Sequence, residues 1–210
     1  MAHIPSSDTH SLELLGFYDA LEKYGRAHDR TYDPEKWLYV PDFYTEYRYI
    51  LGTRGKRPLI AIGINPSTAE PDHLDNTLKS VERIAHSNGY DSFIMFNVYA
   101  ERATDPADME RKFNEALHRE NMAAFDYILS LSSEPPAVWA AWGTIVRVRP
   151  YLMRCMTDMT ELGRRHGAVW YSCGARSKNG GHPHHPLYLK KDSPLDEFDI
   201  DAYLHGLKTD

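Results

Sequence analysis

Four short, unbroken apolar runs punctuate the middle of the chain, and between them apolar positions recur every three or four residues. The first run, Pro58 to Ile64, follows Gly55, Lys56 and Arg57 and ends at Asn65-Pro66. A run apolar at every position suits a strand covered on both faces. From Asp75 to Ser87, Leu78, Val81, Ile84 and Ala85 fall on one helical face, with Asp75 as the cap and Gly89 just past the end. Phe93 to Val98 reads as a second strand. Asp105-Pro106, with Asp108 three residues after Asp105, opens another helix, and Met122, Phe125, Ile128 and Leu129 carry its spacing to Leu131. After a Pro-Pro break, Ala137 to Trp142 forms a third strand, followed by an amphipathic stretch to about Leu162, and Ala168 to Cys173 forms a fourth.

Strands alternating with helices at this spacing predict a three-layer α/β/α arrangement around a central, mainly parallel four-stranded sheet with right-handed crossovers. The expected organisation is a single domain over 1–210. Residues 1–57 hold a helix from Leu12 to Tyr24 and an aromatic prelude, strand-bearing between Trp37 and Leu51. The α/β core is 58–191, and 192–210 supply an acidic capping helix from Leu195 to Leu207. A chain of this size buries roughly 70% of its extended surface, enough for one core.

Composition narrows the class. The 42% hydrophobic, 26% charged and 12% aromatic fractions are those of a packed globular protein and exclude disordered, collagen-like and low-complexity chains. No window approaches eighteen apolar residues, and MAHIPSSDTH lacks a basic flank before an apolar stretch. The expectation is a cytoplasmic protein with no membrane partner. Cys155 and Cys173 fall in no paired spacing and read as buried thiols.

The net charge of −6 hides an asymmetry. Residues 61–136 carry 13 acidic and 6 basic residues, whereas 137–191 carry 9 basic and 2 acidic. Arg147, Arg149, Arg154, Arg164, Arg165, Arg176, Lys178, Lys190 and Lys191 make up the basic block. Gathered on one face, they would meet a phosphate-bearing ligand, with Lys178, Lys190 and Lys191 as candidate phosphate contacts; spread over helices, they are a solvated surface.

Function in parallel sheets concentrates beyond the carboxyl ends of the strands. The four exits read GINPSTA, FNVYAERATDP, WGT and KNGGHPHHPLYL. Gly63, Asn65 and Pro66 shape a tight turn in which backbone amides and the hydroxyls of Ser67 and Thr68 suit an anion or a water; an ordinary strand exit uses the same chemistry. Asn97 interrupts an apolar strand with a side chain that is both donor and acceptor, as reading the Watson–Crick edge of a base requires, and a loop-anchoring Asn fits there too. Asp75 is a candidate catalytic acid as well as a helix cap. Arg102 offers a planar fork for a phosphate or for a surface ion pair. His182, His184 and His185, stiffened by Pro183 and Pro186, have no acidic or thiol neighbour to complete a ligand set, so neither a metal nor another cofactor is expected.

In chain order, Asn65 to Ala69 (NPSTA), Asn97, Arg102 to Pro106 (RATDP), Trp142-Gly143 and His185 to Leu189 (HPLYL) resemble a bacterial and phage domain family of unknown function, the DUF1643 type, across most of 47–190. More distantly, Gly63-Ile64-Asn65-Pro66, Phe96-Asn97, Ala141-Trp142-Gly143 and His185-Pro186 are similar to the uracil-DNA glycosylase superfamily. That family has a glycine-asparagine-proline or glycine-aspartate-proline turn, a strand ending in Asn, a Leu-Trp-Gly strand and a His-Pro-Ser loop, in the same order.

The second resemblance implies a uracil-DNA glycosylase-like fold in which Asn65 positions the attacking water, Asn97 reads the base and His185 stabilises negative charge on the departing base. Leu187 to Leu189 would be the wedge beside a flipped nucleotide. Relatives with a strong general base have Asp where this chain has Asn65, which implies slow or substrate-restricted chemistry. Residues 67–89 contain no Phe, Tyr or Trp, so Tyr99, Tyr188 or His73 would supply the stacking ring.

The function expected is nucleobase binding with hydrolysis of an N-glycosidic bond in DNA or a nucleotide. Alternatives are a non-catalytic module that binds nucleic acid or a nucleotide, and a hydrolase of a phosphorylated small molecule using Ser67, Arg102 and the histidines.

Overall fold

The computed structural model describes residues 2–5, 12–23 and 31–209. Its architecture is α/β. In chain order the regular elements are α1 (Phe17–Lys23), β1 (Trp37–Val40), β2 (Ile50–Thr53), β3 (Pro58–Gly63), α2 (Asn76–Ser87), β4 (Ser92–Asn97), α3 (Glu115–Leu129), β5 (Ala137–Ala140), α4 (Leu152–Arg165), β6 (Val169–Cys173), β7 (Leu195–Glu197) and α5 (Ile200–Thr209).

The four apolar runs become β3, β4, β5 and β6, which lie parallel in the order β4-β3-β5-β6. The sheet is larger and mixed, however. β1 and β2 extend one edge antiparallel, Leu51 standing opposite Met95, and β7 closes the other edge against β6. The expected four-stranded parallel sheet is therefore the centre of a seven-stranded one. Short edge strands of three or four residues leave little periodic signal, because their partners lie far away in sequence.

Continuous hydrophobicity in the central strands has a direct cause. Leu59, Ala61, Phe93, Met95 and Trp139 enter one apolar cluster with Leu78, Val81 and Ile84 of α2. Ile60, Ile62, Ile94, Phe96 and Val138 enter another with residues of α1, α3, α4 and α5. Both faces are covered, so both must be apolar.

Element boundaries move in several places. Asp105 does cap a turn, accepting from the Ala107 amide at 2.9 Å, but that turn is one 3-10 segment, Pro106–Asp108, and no helix runs on from it. Met109 returns to extended backbone and Asn114 starts α3 afresh, its Oδ1 accepting from the Leu117 amide at 3.0 Å. Helix α1 begins at Phe17 rather than Leu12, and Tyr24 lies outside the described residues. The terminal acidic segment is a strand followed by a helix, not one helix. Among the described residues no helix is long and apolar enough to cross a membrane.

Candidate functional site

Because β4 and β5 flank β3 on opposite sides, the chain leaves the sheet in diverging directions at the carboxyl ends of these strands, the usual position for a ligand crevice. A cavity of about 630 Å³ lies there. Asn65, Asn97 and His185, far apart in sequence, all line it, together with Gly63, Ser67 and Trp142.

Asn97 ends β4 and is 1% exposed, yet neither Nδ2 nor Oδ1 has a hydrogen-bond partner among the described residues. A buried amide with both polar atoms unpaired costs about 1–3 kcal/mol for each unsatisfied group. Its surroundings hold it there. The Asn121 Nδ2 of α3 donates to the carbonyls of Asn97 (3.0 Å) and Val98 (3.3 Å), fixing the strand end from behind. In front, Gly63 leaves room: a Cβ at that position would stand 3.0 Å from Asn97 Oδ1.

The turn after β3 is tied to the segment after β4. Asn65 Nδ2 donates to the carbonyls of Ala103 (2.8 Å) and Pro66 (3.1 Å), and the Ala103 amide returns a bond to Pro66 at 2.9 Å. These bonds use the amide nitrogen of Asn65 and leave its Oδ1 without a donor among the described residues. Ser67 reaches Thr104 across the mouth at 3.3 Å. Pro66 and Thr68 shape the turn without lining the cavity.

His185 caps a single 3-10 turn, Pro186–Tyr188, its Nδ1 accepting from the Leu187 amide at a long 3.4 Å. That bond places the ring proton of a neutral imidazole on Nε2. Burial lowers the pKa of His185, opposed by Asp75 and assisted by His184, which favours the neutral ring. Gly143, in the left-handed region at φ 69°, lets the β5 exit pass beside this ring; a Cβ there would meet the Cβ of His185 at 3.3 Å. Trp142 is anchored by its Nε1 donating to the Tyr203 hydroxyl at 3.1 Å.

Asp75 caps a helix at the edge of the cavity. Its Oδ1 accepts from the Leu78 amide at 2.9 Å as the cap of α2, and the residue also lines the cavity. Leu187 and Tyr188 line the rim, Tyr188 at 74% exposure.

Other sequence candidates lie elsewhere. Tyr99 is fully buried, its hydroxyl accepting from the Asn114 amide and its ring against Tyr151, so it supplies no stacking surface. His73 is exposed and does not line the cavity. Arg102 does not line the cavity, and it forms no ion pair among the described residues. It is buried behind the wall, holding the carbonyls of Ser67 and Ala69 and the Tyr39 hydroxyl.

The basic block does not form one free face. Arg149 donates to the carbonyls of Met109 and Glu110, Arg147 to that of Leu207, and Arg154 and Arg164 pair with Glu115 and Asp201. Lys178, Lys190 and Lys191 are exposed and outside the cavity lining. His182 and His184 are spent on the Tyr203 hydroxyl and the Ala175 carbonyl. Among the described residues no group of three or more His, Cys, Asp or Glu side chains is placed to hold a metal.

Sequence reasoning missed Arg48, which is 1% exposed and lines the cavity. The only signal was a cation inside the apolar stretch Tyr47 to Leu51. Met95, Thr144 and Ile145 also line the wall unannounced.

No curated protein and no solved structure matches this chain. A family model does, from Arg48 to Leu187, a span that contains every cavity-lining residue except Tyr188. By that match over residues 48–187, the chain belongs to the family described as protein of unknown function (DUF1643).

Proposed function

We propose that this protein binds a nucleobase in the cavity and hydrolyses the N-glycosidic bond joining it to its sugar, in DNA or a nucleotide. The observation that carries the reading is Asn97, whose buried donor and acceptor both lack partners at the cavity. A base edge presents an adjacent acceptor and donor, which satisfies both amide atoms at once. Tyr188 at the rim offers a ring on which the base stacks.

The chemistry needs an oriented water and a donor to the leaving base. Asn65 Oδ1 accepts from the water, which adds to the anomeric carbon as the carbon–nitrogen bond breaks and its electron pair leaves with the base. His185 Nε2–H donates to the base as negative charge develops, and the water's proton ends on the released base. The products are a free base and a sugar carrying the new hydroxyl.

The test is incubation with nucleotides and with oligonucleotides bearing uracil, mismatched or hypermodified bases, followed by detection of free base and abasic product. Release is expected from at least one class, and Asn65→Ala should abolish it without unfolding the protein. Absence of both products across the panel would remove the hydrolytic half of the proposal.

One observation favours a second reading, recognition without turnover. Asp75 is the one carboxylate among the described residues lining the cavity, and its Oδ1 is engaged as the cap of α2. Among the described residues no carboxylate other than this helix cap lines the cavity to deprotonate a water. This reading predicts binding with no product formed.

A further inference from the structure

Arg48 and Arg102 lie side by side behind the first turn and share one acceptor. Arg48 Nη1 donates to the Ala69 carbonyl at 3.1 Å and Arg102 Nη1 to the same oxygen at 3.4 Å. Both residues are at most 1% exposed, and in each the Nε has no acceptor among the described residues. Neither forms an ion pair among the described residues. Glu70 reaches Arg102 only through Tyr39, whose hydroxyl lies 3.4 Å from Glu70 Oε1 and 3.0 Å from Arg102 Nη2. Asp75 offsets part of the Arg48 charge through space without bonding to it.

Of the two residues, Arg48 lines the cavity. A buried guanidinium with no counter-ion is costly, and a planar fork with unused donors matches an oxyanion. Asn76 and Thr77, the first residues of the twelve-residue α2, line the same cavity. First-turn amides have no intrahelical acceptor, and the positive end of the helix dipole adds to the attraction for an anion.

Resting on the nucleobase reading above, we propose that the cavity binds a phosphate group on Arg48 and the N-terminus of α2, and that the ligand is a free nucleoside monophosphate. A polymer is disfavoured on two grounds. Duplex binding draws on surface cations along the backbone, whereas four of the nine in the basic block, Arg147, Arg149, Arg154 and Arg164, are committed to carbonyls and carboxylates within the fold. Arg48 also lies at the cavity wall, 1% exposed, and not on the outer surface over which a backbone passes. The volume of about 630 Å³ lies within the range of small-molecule sites, roughly 300–1,000 Å³.

The experiment is calorimetric titration of the full chain with the 5′-monophosphates of the five common nucleosides, the matching nucleosides, inorganic phosphate and a single-stranded oligonucleotide. At least one monophosphate should bind tenfold or more tighter than its nucleoside, with inorganic phosphate competing. Arg48→Met should erase that difference. If Arg48→Met does not fold, Arg48→Lys, which keeps the charge without the fork, should reduce the difference, and phosphate competition in the unaltered protein needs no variant. Equal affinity for nucleoside and monophosphate would overturn the phosphate subsite and leave the nucleobase reading standing. Phosphate competition lost with Arg48, but no nucleoside-dependent gain, would keep the subsite and overturn the nucleobase reading. Binding of the oligonucleotide alone would overturn the assignment to a free nucleotide, and binding of nothing would overturn both.

Discussion

A side chain on Gly63 would run into Asn97: an added Cβ would stand 3.0 Å from its Oδ1 and 2.6 Å from the terminal methyl of Met95. The Met95 methyl swings aside at small cost, whereas the Asn97 amide is packed at the end of β4. Gly63→Ala is therefore expected to cost about 1–3 kcal/mol by overpacking and to weaken nucleoside binding more than ten-fold. Urea unfolding and titration with the five common nucleosides check both.

Replacing Asn97 by Leu should separate stability from binding. The unpaired buried amide is a burden on the free protein, and an apolar group of similar volume removes it. The variant should melt at the same temperature or higher while losing nucleoside binding. A fall in melting temperature of several degrees would mean that the amide is satisfied in the free protein.

Asn121 is a positioning residue behind the site. Truncation to Ala leaves the carbonyls of Asn97 and Val98 without their side-chain donor, at a cost of about 1–3 kcal/mol. Asn121→Asp is expected to be worse than Asn121→Ala, because it turns a carboxylate oxygen toward two carbonyl oxygens. Comparing the two variants by thermal unfolding tests the donor role against simple loss of packing.

Burial lifts the Glu101 carboxyl from 4.5 to about 7, only partly opposed by the Glu110 amide, which donates to its oxygens at 3.0 and 3.2 Å. A carboxyl raised on folding binds its proton more tightly in the native state. Its contribution is present below pH 4.5 and is lost as pH rises through about 7, a change on the order of 3 kcal/mol. Glu101→Gln should therefore gain stability relative to the unaltered protein above pH 7 and show no gain at pH 4. His182 and His185 act in the opposite sense: burial lowers both below 6.5, so their contribution is present above that value and is lost as pH falls through the lowered values. Melting temperatures from pH 4 to 9 resolve the two trends.

Both thiols should be inert in the folded protein. Burial raises Cys155 to about 12 and Cys173 to about 11, leaving almost no thiolate at pH 8. Iodoacetamide is expected to label neither until denaturant is added, and rapid labelling of either in the native state would contradict the burial seen here.

The local pattern alone determined the four central strands, helix α2 with its Asp75 cap, and the turn chemistry at Asn65, because each depends on residues a few positions apart. It also brought Asn65, Asn97 and His185 to one end of the sheet, since parallel strands joined by helices place every strand exit on the same side. Only the tertiary structure decided the remainder. Strands β1, β2 and β7 exist through pairing with distant partners, as Leu51 does with Met95. The basic block was dispersed when packing brought four of its arginines to separate acceptors, as Arg149 to Met109 and Arg164 to Asp201. Tyr99 turned inward to Asn114, and Arg48, one cation within an aromatic stretch, was buried against the Ala69 carbonyl. Periodicity records which positions avoid water; the partner of a buried polar group is set by chain segments that meet only on folding.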